Sequence, residues 1–326
     1  MSEAKNWKDR EPLVSICCIT YNHEAYIRDA LDGFLMQRTE FPFEILIHDD
    51  ASSDRTQEII REYADRYPDV IKPILQMENQ YSKGISNPSG AFNFPRVRGK
   101  YVAMCEGDDY WTDPDKLQRQ ARIRTVDGSR SDRRMRPYRK SRTVTPEEMI
   151  DRSRGYAMAS MVFRSDMIRQ LPEYYVNCPV GDTPLQLMAA SWGYGYYMDR
   201  DMSVYRIGAA ASWTSQGKAG DYAAKQKEYC RQMRQTYLDF NRETGGRFAA
   251  EAKSAAARIW YLTMVNTRNY RVVLDRKYRR YYRGPTRTAA DAADNGRRFG
   301  RGPVPTQYPH RDSGPADRQD AAAQVI

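Results

Sequence analysis

Apolar residues in the first third of the chain alternate between two patterns. Residues 13–19 form a continuous run rich in branched side chains, the pattern of a strand covered on both faces. That run ends at Thr20-Tyr21-Asn22. Ile27, Ala30, Leu31, Phe34 and Leu35 then recur at helical spacing and predict an amphipathic helix. Residues 43–47 predict a second buried strand, followed by His48-Asp49-Asp50-Ala51-Ser52-Ser53-Asp54. Ser52 or Ser53 is placed to cap a helix whose inner face carries Ile59, Ile60, Tyr63 and Ala64. Residues 70–75 and 101–105 read as third and fourth strands. Strands alternating with helices predict an α/β fold, a Rossmann-like, mostly parallel sheet flanked by helices.

Ligands of such sheets bind at the carboxyl ends of the strands. Three polar clusters fall at those ends: residues 20–22, residues 48–54, and Glu106-Gly107-Asp108-Asp109. One topology therefore directs all three into a single cleft. Neighbouring carboxylates repel, and burial raises the cost of keeping them ionised unless a cation compensates. A hard divalent ion with room for phosphate, Mg²⁺ or Mn²⁺, is one such compensation. A solvated acidic turn ahead of the helix start at Asp113-Pro114 is the alternative reading of the same residues.

Composition narrows the class. At 326 residues with 40% hydrophobic content the chain can bury a sizeable core. It has no apolar run long enough to span a bilayer, which needs about 18 residues. Residues 1–12 read as a polar leader without a signal segment, so a cytoplasmic protein is expected. The five cysteines show no paired or metal-binding spacing, and His23 and His48 are more readily partners of turns than ligands. A net charge of +10 raises nucleic acid as a partner, but its distribution argues against one. Residues 122–142 alone hold nine Lys or Arg against two Asp, a net +7, and the remainder is nearly balanced.

With these residues in place, the first 120 positions resemble the nucleotide-binding half of a GT-A fold glycosyltransferase of family 2. The likeness rests on Val14-Ser15-Ile16 with Thr20-Tyr21-Asn22, on residues 49–54 after the second strand, and on Glu106-Gly107-Asp108-Asp109. A second likeness, to the acceptor half of members that build bacterial surface polysaccharides, lies in residues 159–164, Val180-Gly181-Asp182-Thr183-Pro184-Leu185 and Tyr205-Arg206. The resemblance implies an inverting glycosyltransferase that moves a sugar from a nucleotide-diphosphate donor, a UDP-sugar, to a saccharide or lipid-linked saccharide. It implies that Asp50 accepts from the base, with Thr20, Tyr21 and Asn22 lining the same pocket. Asp108 would contact the ribose or sugar, Asp109 would bind Mg²⁺ or Mn²⁺, and Asp182 would be the catalytic base. Asp182 also stands where a helix cap belongs, and the two roles are compatible.

Lower in specificity, Lys83 lies in a polar loop able to fold over the diphosphate, and Trp111 and Trp213 are candidates for stacking on a sugar or acceptor. The expected organisation is a leader (1–12), a nucleotide-sugar half (13–120), an anomalous basic segment expected to be disordered (121–145), an acceptor half (146–217), a C-terminal helical extension (218–284) and a disordered tail (285–326). The stretch bounded by Arg276 and Arg283 mixes four Arg and one Lys with three Tyr, which suits peripheral contact with an anionic membrane or an exposed helix end. The basic segment departs from the family pattern, so an inactivated nucleotide-binding homologue, or a non-catalytic protein binding nucleic acid or membrane, is the alternative.

Overall fold

The computed structural model of this chain describes residues 10–122, 137–138, 140–151, 155–206, 221–267 and 269. Strand and helix alternate first: β1 (Val14–Thr20), α1 (Ile27–Leu35), β2 (Phe43–Asp49), α2 (Thr56–Arg66), β3 (Ile71–Leu75), β4 (Tyr101–Glu106), β5 (Tyr110–Trp111) and α3 (Lys116–Arg122). Then come β6 (Arg142–Val144), α4 (Pro146–Asp151), β7 (Val162–Arg164), α5 (Glu173–Val176), α6 (Asp182–Trp192), β8 (Gly195–Tyr197) and β9 (Ser203–Val204). Two long helices, α7 (Tyr222–Glu243) and α8 (Ala249–Asn266), follow. Most of the basic segment (123–136 and 139), most of the leader (1–9), Trp213, the stretch from Arg276 to Arg283 and the tail from 285 lie outside the described residues.

The central sheet has the order β3-β2-β1-β4-β7, parallel except for β7 against β4. Its strands are apolar without interruption because both faces are covered. Val14, Ile16 and Cys18 pack with Ile27, Leu31, Phe34, Ile59 and Ile60 of α1 and α2 on one face. Cys17, Leu46, Val102 and Met104 pack on the other with Tyr175, Leu185 and Met188 of α5 and α6. The same second layer takes in Met233, Tyr237 and Phe240 of α7 and Ala252 and Ile259 of α8, so the C-terminal helices share its core. β6 pairs with β8, and β5 with β9, as two small ribbons outside the main sheet.

Register fixes where the polar clusters emerge. Thr20 pairs with Asp49 and Ile19 with Glu106, so β1, β2 and β4 end at one level. The cap expected at Ser52 or Ser53 does not form. α2 starts at Thr56, whose NH donates to Asp54 Oδ1 at 2.9 Å, and no side chain of the preceding residue caps it. Ala51 adopts a left-handed φ of 62°, and the turn sends both serines back to the strand ends instead. Among the described residues no helix is long and apolar enough to cross a membrane.

Candidate active site at the strand ends

The β1 and β2 ends are tied together by side chains. Asn22, at φ 54°, donates its NH to Ser52 Oγ at 2.8 Å and accepts the Ser53 NH at the same distance. Asp49 is consumed within this turn, accepting from the Ser52 NH and hydroxyl and from Gln57 Nε2. Asp50 points the other way. Its Oδ1 accepts the Gln80 NH at 2.7 Å and its Oδ2 the Tyr81 NH at 3.1 Å, while Asn79 Nδ2 reaches its carbonyl. The loop after β3 is thereby folded onto the β2 end, and each Asp50 oxygen keeps a further lone pair.

At the β4 end, Gly107 donates its NH to the Ile19 carbonyl at 2.9 Å. A Cβ there would stand 2.7 Å from Thr20 Cβ and Oγ1 and 3.1 Å from His23 Nδ1, so only glycine lets this turn lie against β1. Asp108 is buried and Asp109 fully so. Asp109 Oδ1 accepts the Arg206 NH at 2.9 Å, whereas its Oδ2 is buried without a hydrogen-bond partner. Burial, then the neighbouring Asp108 charge, pushes Asp109 well above the usual carboxylate range, against the opposing Arg206 hydrogen bond and charge. Glu106 is pushed up by burial and by the charges of Asp108, Asp109 and Asp182. Asp182, 76 positions beyond Glu106 in the chain, thus adds its charge to this acidic cluster. It is the first residue of α6 and accepts the Thr183 NH at 2.6 Å.

Residues 15–162, from β1 into β7, match the family model for glycosyl transferase family 2. Over these residues the chain is similar to glycosyltransferase family 2. An uncharacterized protein of Mycobacterium tuberculosis is 54% identical over 113 residues, 33% of this chain and 30% of that protein. A Bacillus subtilis protein named as the teichuronic acid biosynthesis glycosyltransferase TuaG is 34% identical over 115 residues, 35% of this chain and 42% of that protein. The chain spans less than half the length of either relative. The crystal structure of S. aureus TarS residues 1–349 in complex with UDP-GlcNAc superposes with a TM-score of 0.60 at 15% identity, covering 82% of this chain and 78% of that one. The likeness is one of fold: the chain has GT-A-like architecture, a mostly parallel sheet flanked by helices.

The carboxylates at the β4 end are hard oxygen donors, the ligand type of a divalent cation. Among the described residues no group of three or more His, Cys, Asp or Glu is placed to hold a metal ion by itself. Asp109 nevertheless has one buried, unpartnered carboxylate oxygen beside Asp108, an oxygen donor of the type a hard cation takes together with phosphate and water. An ion held by Asp109 would neutralise negative charge on a bound diphosphate.

Other expected residues are dispersed. Thr20 is buried with an unpartnered Oγ1, and Tyr21 beside it is partly exposed. Lys83 pairs with Glu78 on the loop surface. Trp111 stands in the core, which removes it from sugar stacking: its Nε1 donates to the Ala159 carbonyl at 2.9 Å, Phe34 meets it edge-on and the Lys116 ammonium lies 4.8 Å from its ring centroid. Trp213 lies outside the described residues. His23 donates its NH to Thr56 Oγ1, and the His48 ring stacks on Phe92 at 4.5 Å, so both serve the turns. Sequence reasoning gave no role to Asn87, whose Nδ2 bridges the Tyr175 and Cys178 carbonyls ahead of Asp182, and no local pattern marks it.

Proposed function

We propose that this chain is an inverting glycosyltransferase that moves a sugar from a nucleotide-diphosphate donor, a UDP-sugar, to a saccharide or lipid-linked saccharide in cell-surface polysaccharide synthesis. One observation carries the reading: Asp50 follows β2, and Asp108 and Asp109 follow β4, at level ends of the two strands that flank β1, with one Asp109 oxygen buried and unmatched. The bacterial relative named for teichuronic acid biosynthesis supports the product class.

In this proposal the Asp50 oxygens accept from the base, and Thr20, Tyr21 and Asn22 wall the base and ribose pocket. Asp108 contacts the ribose or sugar, and Lys83 swings from Glu78 to the diphosphate. Asp109 holds Mg²⁺ or Mn²⁺, which when bound stabilises the charge of the departing diphosphate. Asp182 takes the proton of the acceptor hydroxyl as its oxygen attacks the anomeric carbon and the bond to the diphosphate breaks. A single displacement on that geometry inverts the anomeric centre. The helix N-terminus that carries Asp182 also favours anions nearby.

The test uses the purified protein with UDP-sugars and Mn²⁺, following release of UDP. Asp109→Asn should remove turnover and metal dependence together. Asp182→Asn should keep nucleotide binding, read as a thermal shift with UDP and Mn²⁺, and lose turnover by a factor on the order of 10² to 10⁴. Wild-type turnover in either variant refutes the corresponding role.

A further inference from the structure

Arg206, two residues beyond β9, meets the acidic turn with its main chain and its side chain together. Its NH donates to Asp109 Oδ1 at 2.9 Å, its Nη1 donates to the Asp108 carbonyl at 2.8 Å, and its Nη2 pairs with Asp29 of α1. The guanidinium lies 5.1 Å from the Tyr26 ring centroid and 4.4 Å from that of Tyr110. The side chain is only 21% exposed.

These contacts do different things. The two rings and Asp29 fix the plane of the guanidinium, and the fixed plane places the bond to the Asp108 carbonyl. With the side chain held, the Arg206 main chain is held too, and its NH pins one oxygen of Asp109. A carboxylate free to rotate offers either oxygen, whereas this one has Oδ1 occupied and Oδ2 buried and unmatched.

We propose that Arg206 is a positioning residue for Asp109: it occupies Oδ1 and fixes the turn so that Oδ2 is the atom offered to a divalent cation. The inference rests on the metal role given to Asp109 above. Arginine is required because one planar fork must stack on two rings and donate to two separate acceptors, which a lysine ammonium on a flexible stem does not reproduce. Partners that orient a ligand in this way typically change metal affinity 10–100-fold when removed.

Mn²⁺ affinity, measured without nucleotide by the electron paramagnetic resonance of free Mn²⁺, tests this directly. Arg206→Met keeps the apolar stem between the rings and removes the fork, and should weaken Mn²⁺ binding by about 10-fold or more. Arg206→Lys should be weakened nearly as far, since it restores the charge alone. Asp29→Asn keeps an acceptor oxygen for the fork and removes only the charge of a partly exposed pair, and should stay within about threefold. The thermal midpoint without metal should change little in all three. Arg206→Met or Arg206→Lys binding Mn²⁺ within twofold of wild type overturns the proposal, as does a loss of metal-free fold that parallels the loss of Mn²⁺. Failure of the wild type to bind Mn²⁺ overturns this inference and the metal role of Asp109 together, whereas normal wild-type binding with normal variants overturns this inference alone.

Discussion

Asp49 and Asp50 are adjacent and chemically identical, yet they face different tasks. Asp49 is enclosed by Ser52 and Gln57, and Asp50 holds the loop after β3. Gly107 is as specific in its way. Gly107→Ala would drive a methyl into Thr20, and the turn must shift to relieve it. The expected cost is about 1–3 kcal/mol, read from the urea midpoint, and an unchanged midpoint would show that Thr20 yields freely. His48 carries a pH signature. Burial holds its imidazole below the ordinary value of 6.5, with Arg96 adding to the effect and Asp50 and Asp49 opposing it. A depressed histidine gives stability that is present above the unfolded value and is lost as pH falls through the folded one. His23 is also held down, first by burial, and adds in the same direction. Urea midpoints measured at about pH 7 and about pH 5 should therefore fall less in His48→Gln than in the wild type, and equal falls would remove His48 from the account.

At the scale of elements, helical spacing and continuous apolar runs were enough to locate β1 to β4 and the buried faces of α1 and α2. Ile27, Ala30, Leu31 and Phe34 are all fully buried, as their period implied. Helix starts were not legible, because Ser52 and Ser53 have the chemistry of caps and only the positive φ of Ala51 directs them elsewhere. The connection between the strand-end turns and α6 was invisible as well. Asn87, buried, donates to the Tyr175 carbonyl at 2.8 Å and the Cys178 carbonyl at 3.1 Å, and a Cβ at Gly181 would stand 3.2 Å from its Oδ1. Asn87→Ala removes the side-chain donor of the Cys178 carbonyl and leaves the Tyr175 carbonyl with the Cys178 NH at 3.4 Å, and should cost about 1–3 kcal/mol, seen as a lower thermal midpoint. A midpoint equal to wild type would mean that water replaces the amide.

For the whole molecule, the sequence by itself determined the order of β1 to β4 with α1 and α2, the two-sided burial of those strands and the polar clusters at their ends. Those features depend on residues a few positions apart, and periodicity is a local property of the chain. The tertiary structure decided which chemistry meets there. It spent Asp49 on the turn and left Asp50 on the loop, sank Trp111 into the core, and brought the Asp182 charge onto Glu106. It also set the Arg206 NH on an aspartate 97 positions earlier. Contacts across such separations arise only when the sheet has brought distant strand ends level, because the short-range pattern of a chain carries no record of which remote residue will face it.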